Sequence, residues 1–190
     1  YHNSLQQPTK PTQKHNSQTI GNFNMASSNV FVTVGTTQFD KLISNITSDE
    51  FLNVLARRGC KSLVLQVGQG KPVQETEKNG IKIESFSLKP SISEDISRAD
   101  LVISHAGAGS CLGVLSAGKP LIVVINEDLM DNHQEELANK LEQEGYLFKS
   151  NCDNLVNVLE RFDVKVLNPF VPGDPKVYAS HFDTIMGVSS

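Results

Sequence analysis

Apolar positions along this chain switch between two spacings, and the switches mark its elements. Val30, Phe31, Val32 and Val34 make a short β-branched run, so Asn29 to Val34 is expected to be a strand. The run breaks at Gly35-Thr36-Thr37, after which Phe39, Leu42, Ile43 and Ile46 recur at helical spacing. A further helical piece, Phe51 to Arg58, ends against Gly59, a good stop residue. Ser62 to Val67 predicts a second strand that runs into Gly68-Gln69-Gly70-Lys71-Pro72. Ile81 to Phe86 alternates and predicts a third, and Ile92 and Ile96 make Ser91 to Ala99 a short amphipathic helix. Leu101 to Ile103 is unbroken and apolar, as in a strand buried on both faces. Small residues follow it, and a helical stripe begins at Cys111-Leu112 and continues through Val114-Leu115. After a turn at Gly118-Lys119-Pro120, Leu121 to Ile125 is another buried strand. Asp131 to Gly145 predicts a helix with Leu137 and Leu141 on one face, and Tyr146 to Phe148 a short last strand. Leu155 to Phe162 predicts a helix with Leu155, Val158, Leu159 and Phe162 inward. Asn168 to Pro175 is Pro-rich and irregular, and a stripe of Val177, Tyr178, Phe182, Ile185 and Met186 predicts a final helix over 175–186.

Strands alternating with helices predict an α/β, Rossmann-like domain with a mostly parallel sheet, right-handed crossovers and ligands at the carboxyl ends of the strands. Residues 1–24 are rich in Gln, Asn, Thr, Ser, Pro and Lys with almost no apolar period, a composition expected to stay disordered. Met25 stands just before the first strand and is a candidate natural start, with the residues before it an extension. The expected folded unit is one domain over 25–190.

The totals narrow the function. A formal net charge of −4 over 190 residues carries no electrostatic footprint for nucleic acid or an anionic membrane. No apolar run approaches the ~20 residues that cross a bilayer. The three cysteines, Cys60, Cys111 and Cys152, form neither a CxxC pair nor a disulfide framework; they fit a reducing compartment and read as core residues.

Chemistry is expected in three loops. After the central strand, Ser104-His105-Ala106-Gly107-Ala108-Gly109-Ser110 is a small-residue turn into a helix. Glycines there let a ligand approach the backbone, and Ser110 either caps the helix or joins its amides in holding an anion, a diphosphate best of all. A plain βα turn that needs glycine only for its geometry is the competing reading. Gly35, Thr36 and Thr37 form either a second anion site or a simple helix cap. In the third loop Asn132, His133 and Gln134 offer hydrogen bonds to a hydroxylated ligand, or Asp131 caps a helix among solvated neighbours. Several familiar constellations are missing. The turn after the first strand has one glycine, Gly107-Ala108-Gly109 lacks the third of G-x-G-x-x-G, and Gly68-Gln69-Gly70-Lys71 has the wrong spacing for a P-loop. There is no G-x-S-x-G elbow, and His105 and His133 have no partner at metal-ligand spacing, so no metal site is expected.

Three segments together carry a resemblance. Phe31 to Asp40, Ala99 to Ser110, and Gly118 to Asn126 running on to Asp131-Asn132-His133-Gln134 resemble the cytosolic catalytic subunits of dolichol-linked UDP-N-acetylglucosamine transferases, which add the second GlcNAc of the N-glycan precursor. The likeness covers Val30 to Gly187. More distantly the chain is similar to the donor-binding half of bacterial peptidoglycan N-acetylglucosaminyltransferases. The resemblance implies the donor half of a split GT-B glycosyltransferase, with UDP-GlcNAc as donor, dolichol-diphosphate-GlcNAc as acceptor and no cofactor. A membrane-anchored partner would supply the acceptor half and recruit this cytoplasmic chain to the cytosolic face of the endoplasmic reticulum. Gly107, Ala108, Gly109 and Ser110 would face the diphosphate, with Gly35, Thr36 and Thr37 opposite. Asn132, His133 and Gln134 would serve the sugar and nucleoside, and Phe86 would lie by the uracil. Val177, Tyr178, Phe182, Ile185 and Met186 would bind the partner or pack on the chain's own sheet. One departure stands out: Gly113 occupies the position where such transferases carry an acid for the ribose hydroxyls, so that Glu127 or Asp128 replaces it, the partner does, or donor affinity is reduced. The implied reaction is inverting and needs a general base, for which His105 is the candidate on this chain, a role that competes with a loop histidine that only orients backbone. A non-catalytic binding or regulatory module of the same fold is the alternative function.

Overall fold

A computed structural model describes residues 28–127 and 132–172, the side chains of 132–134 excepted. The expected extension over 1–24, the start at Met25 and the final helix over 175–186 lie outside the described residues.

Among those residues the core is a seven-stranded sheet in the order β3-β4-β2-β1-β5-β6-β7. Six of its strands are parallel: β1 (Ser28–Thr33), β2 (Cys60–Gln66), β4 (Ile81–Phe86), β5 (Leu101–His105), β6 (Leu121–Ile125) and β7 (Phe148–Asn151). Both faces are covered, which is why β1, β5 and β6 at the centre are the most apolar. Val30, Val32, Leu101, Ile103, Ile122 and Val124 point into one core, and Phe31, Val102, Leu121 and Val123 into the other. The first core is closed by α1 (Asp40–Ile46), α2 (Asp49–Arg57) and α6 (Leu155–Arg161). The second is closed by α3 (Ser93–Arg98), α4 (Ala108–Ser116) and α5 (Asn132–Gln143). Ser48 starts α2 by accepting the Phe51 amide at 3.3 Å. Arg58, half-buried at the end of α2, donates to the carbonyls of Glu160 at 3.1 Å and Phe162 at 2.5 Å and so ties α2 to α6.

Two expectations are corrected, and one strand was not expected. The helix after β5 begins at Ala108 with Gly107 in the cap position, so Ser110 lies in its first turn and does not cap it. Ala108, Gly109 and Ser110 carry no apolar period, so periodicity registers the helix only from Cys111. The last strand is Phe148–Asn151, not Tyr146 to Phe148, because Lys149, Ser150 and Asn151 pair through backbone with Val123, Val124 and Ile125. An antiparallel edge strand, β3 (Thr76–Lys78), pairs with β4 and has only exposed polar side chains, so it left no apolar signal. Lys78 pairs with Asp49 at 2.7 Å and Lys82 with Glu75 at 3.3 Å, charges that discourage further strand addition there.

Phe162 is fully buried and meets the Phe148 ring at 5.1 Å between centroids. Phe162→Ala should cost about 3–5 kcal/mol in urea unfolding. A loss below about 1 kcal/mol would show that α6 is not part of the cooperative core.

Candidate functional site

From β1 the chain moves outward to β2 and β4, then returns to the other side of β1 as β5. The loops leaving β1 and β5 therefore diverge and open a crevice at the carboxyl ends of the strands, where α/β sheets bind ligands.

The first wall follows β1. Thr33 and Gln66 are buried polar residues in otherwise apolar strands. The Thr33 hydroxyl donates to Gln66 Oε1 and accepts the Gly35 amide at 3.0 Å. Gly35 takes a left-handed φ of 64°. Thr37 then closes the turn, donating its amide (3.3 Å) and hydroxyl (2.8 Å) to the Val34 carbonyl. α1 starts only at Asp40, with Phe39 in the cap position, so the reading of Thr36 or Thr37 as helix caps is corrected. The acidic first turn of α1 also removes helix-dipole support for an anion at Gly35-Thr36-Thr37, and what this loop offers is its own amides and two exposed threonines.

Behind that wall lies the Gly68-Gln69-Gly70 turn, whose spacing fails as a P-loop and for which the sequence predicts no other role. Gly68 has a left-handed φ of 58°, and a Cβ there would run into the Thr37 carbonyl oxygen. Gln69 donates its amide to the same oxygen at 3.0 Å. The Gly68-Gln69-Gly70 turn therefore buttresses the first loop. A glycine pair after the neighbouring strand was its only signal.

The second wall follows β5. The His105 carbonyl accepts from the Gly107 amide (2.8 Å), the Ser104 hydroxyl (2.9 Å) and the Cys111 thiol (3.7 Å). The imidazole lies between the loops, where a Cβ on Gly35 or on Gly107 would come within 2.7 Å of Cε1. Nδ1 is buried with no hydrogen-bond partner. Burial pushes the ring's pKa below its ordinary value, with the Thr33 backbone opposing in part, so it is neutral at pH 7. No side chain caps α4, and the amides of its first turn have no carbonyl within the helix to bond. Gly109 and Gly113 are exposed on α4, and a Cβ on either would have nothing within 4 Å. Glycine in a helix costs roughly 1 kcal/mol against alanine, and here the fold gains nothing from it.

The other expected residues lie around this centre. Asn132, His133 and Gln134 open α5 after β6, and their side chains are outside the described set. Glu127 accepts from the Asn151 amide nitrogen at 3.0 Å, which ties the end of β6 to β7. Phe86 ends β4, with β2 between it and β1. Its half-buried ring stacks on Phe31 at 6.3 Å and carries the Lys89 ammonium 3.9 Å from its centroid. The three cysteines are buried and form no disulfide, with burial pushing Cys60 up to about 11 and Cys111 up to about 12, as core residues require. Val177, Tyr178, Phe182, Ile185 and Met186 are outside the described residues. Among the described residues no group of three or more His, Cys, Asp or Glu could hold a metal ion.

Residues 29–172 match the model of the glycosyltransferase family 28 C-terminal domain. The chain belongs to this family. The chain is similar to the UDP-N-acetylglucosamine transferase subunit ALG13 of Homo sapiens, 53% identical over 65% of this chain and 11% of that protein. The subunit of the same name from Saccharomyces cerevisiae is 38% identical over 63% of this chain and 75% of that one. The chain thus spans about a tenth of the human and mouse relatives (11% and 10%) and three quarters of the yeast one (75%). The NMR structure of ALG13 superposes with a TM-score of 0.64 at 31% identity, covering 85% of this chain and 98% of that one. MurG of Acinetobacter baumannii, at 20% identity and a TM-score of 0.51 over 84% of this chain and 41% of that one, shares the fold. The architecture, a mostly parallel sheet with helices on both faces, is the fold shared with GT-B glycosyltransferases.

A histidine held below its ordinary value of 6.5 binds fewer protons folded than unfolded. Stability present above that pH is therefore lost as pH falls through it. Thermal unfolding between pH 7 and pH 5 should show a steeper loss for the wild type than for His105→Gln. Parallel losses would mean that the ring is not held neutral.

Proposed function

We propose that this chain is the donor-binding, catalytic half of a two-chain inverting transferase that moves N-acetylglucosamine from UDP-GlcNAc to GlcNAc-diphosphodolichol. The observation that carries this reading is the start of α4. Its first-turn amides face the crevice uncapped, and Gly109 keeps a clear approach that the chain's own packing does not need. A diphosphate is the anion that uses both features. The family and the names of its relatives supply the sugar nucleotide.

In this reaction the acceptor 4-hydroxyl attacks the donor anomeric carbon, the bond from that carbon to the diphosphate oxygen breaks, and UDP leaves. The amides of Ala108, Gly109 and Ser110 stabilise the charge that grows on the leaving diphosphate. The hydroxyl proton goes to a general base. Burial lowers the pKa of His105 and leaves its Nδ1 without a group to orient it, which makes the ring a weak base, and we assign the base to the partner half. That partner is a membrane-anchored subunit that presents the lipid acceptor at the cytosolic face of the endoplasmic reticulum. No helix among the described residues is long and apolar enough to cross a membrane.

Gly113 favours the alternative, a non-catalytic module of the same fold, since resemblance expects an acid there. It is exposed with open space at its Cβ, so an acid would fit without disturbing the helix.

The test is transfer from UDP-GlcNAc to a GlcNAc-diphosphate-lipid, using the full chain alone and with membranes lacking their own copy of it. Activity is expected only in the mixture, and inactivity in both tubes with the chain folded and membrane-bound would establish the non-catalytic module. Gly109→Val should abolish transfer while changing stability by less than about 1 kcal/mol. Gly113→Glu should tighten UDP-GlcNAc binding, read by calorimetry; no change would place the ribose elsewhere.

A further inference from the structure

Gly107 has an ordinary backbone, φ −67° and ψ 119°, that any residue can adopt. Its torsions do not call for glycine. What excludes a side chain is the His105 ring, since a Cβ would lie 2.7 Å from Cε1 and closer still to Nε2. From the opposite loop Gly35 closes on the same ring, its Cβ position also 2.7 Å from Cε1. Three donors to the His105 carbonyl pin the backbone that carries the ring, so the contact is relieved only by turning the ring, and Gly35 closes on it from the other side.

We propose that His105 is a positioning residue whose ring is a flat spacer between Gly35 and Gly107, setting the distance between the two loops and so the width of the crevice that receives the donor diphosphate. This rests on the donor reading above. Imidazole is the smallest flat side-chain ring, which suits a slot bounded by two glycine Cα atoms. A neutral ring also leaves no charge stranded between them, consistent with its burial.

A double-mutant cycle of His105→Ala and Gly107→Ala tests this on the full chain, read by urea unfolding, by UDP-GlcNAc binding and by transfer with partner membranes. Gly107→Ala in the wild-type background should weaken donor binding roughly tenfold or more, because the new methyl displaces the ring. In the His105→Ala background the same change should cost less than about twofold, since neighbours that share a contact are not additive. His105→Ala should raise the donor KM while lowering kcat by less than about tenfold. Loss of a general base would instead lower kcat by roughly 10²–10⁴ with donor KM unchanged, and would overturn the spacer. Additive effects on unfolding would overturn it equally. If unfolding couples as expected but the wild type binds no UDP-GlcNAc, the spacer stands as geometry and the donor assignment of the crevice falls.

Discussion

The parallel pairing of β1 with β5 is the constraint on which the rest of this structure depends. The register Val30↔Leu101 to Thr33↔Ser104 joins strands separated by three helices and three further strands. It holds because both strands are apolar on both faces, so each needs cover above and below and neither can sit at an edge. Once they are neighbours, their following loops leave the same end of the sheet in opposite directions. Register also fixes depth: Thr33 stands opposite Ser104, which brings Gly35 and His105 to one level. The crevice is a consequence of strand order, and its chemistry is a consequence of what those two turns contain.

What they contain is almost free of charge. The groups that converge are amides, hydroxyls, two glycines and an imidazole that burial keeps neutral. Such a site holds an anion through oriented backbone dipoles rather than through a fixed cation. That choice fits a chain whose net charge is −4, where a field of lysines is not available to draw in a ligand. It also fits release. A diphosphate held by amides departs more readily than one bound in bidentate fashion by arginine, where paired charge-assisted bonds are about twice as strong.

Much of this was legible in the sequence because the strands are buried and β-branched. Leu121 to Ile125 emerged with its bounds intact, and Phe39, Leu42, Ile43 and Ile46 marked the buried face of α1 and its entry. The likeness of three segments to a known family named the fold before any geometry did. What failed shares a physical cause: elements specified by backbone rather than by apolar side chains. β3 is an exposed edge, the end of β7 is polar, and the first turn of α4 is built from residues too small to show a period. Within the site, Gly107 and Gly109 looked alike in sequence, since both follow a strand in a Gly-x-Gly. Only the fold separates them: one lacks a side chain because His105 occupies the space, and the other has open space.

That distinction bears on the proposed reading of the chain as one half of a two-chain transferase. A glycine required by its own neighbours says nothing about a ligand, whereas one that weakens a helix without relieving any contact points to something outside the chain. On α4, Gly109 and Gly113 are of the second kind and lie four residues apart on its exposed side. Under the proposed function, a sugar nucleotide at the helix start accounts for the first. A single Rossmann-like layer binds one side of such a ligand and leaves the other in water, where the developing charge is screened and the acceptor is unheld. A second half closing over the crevice would remove that water and bring in the acceptor. On this view the chain is incomplete as a catalyst for a physical reason: it has the donor wall, and the opposing wall must come from another surface.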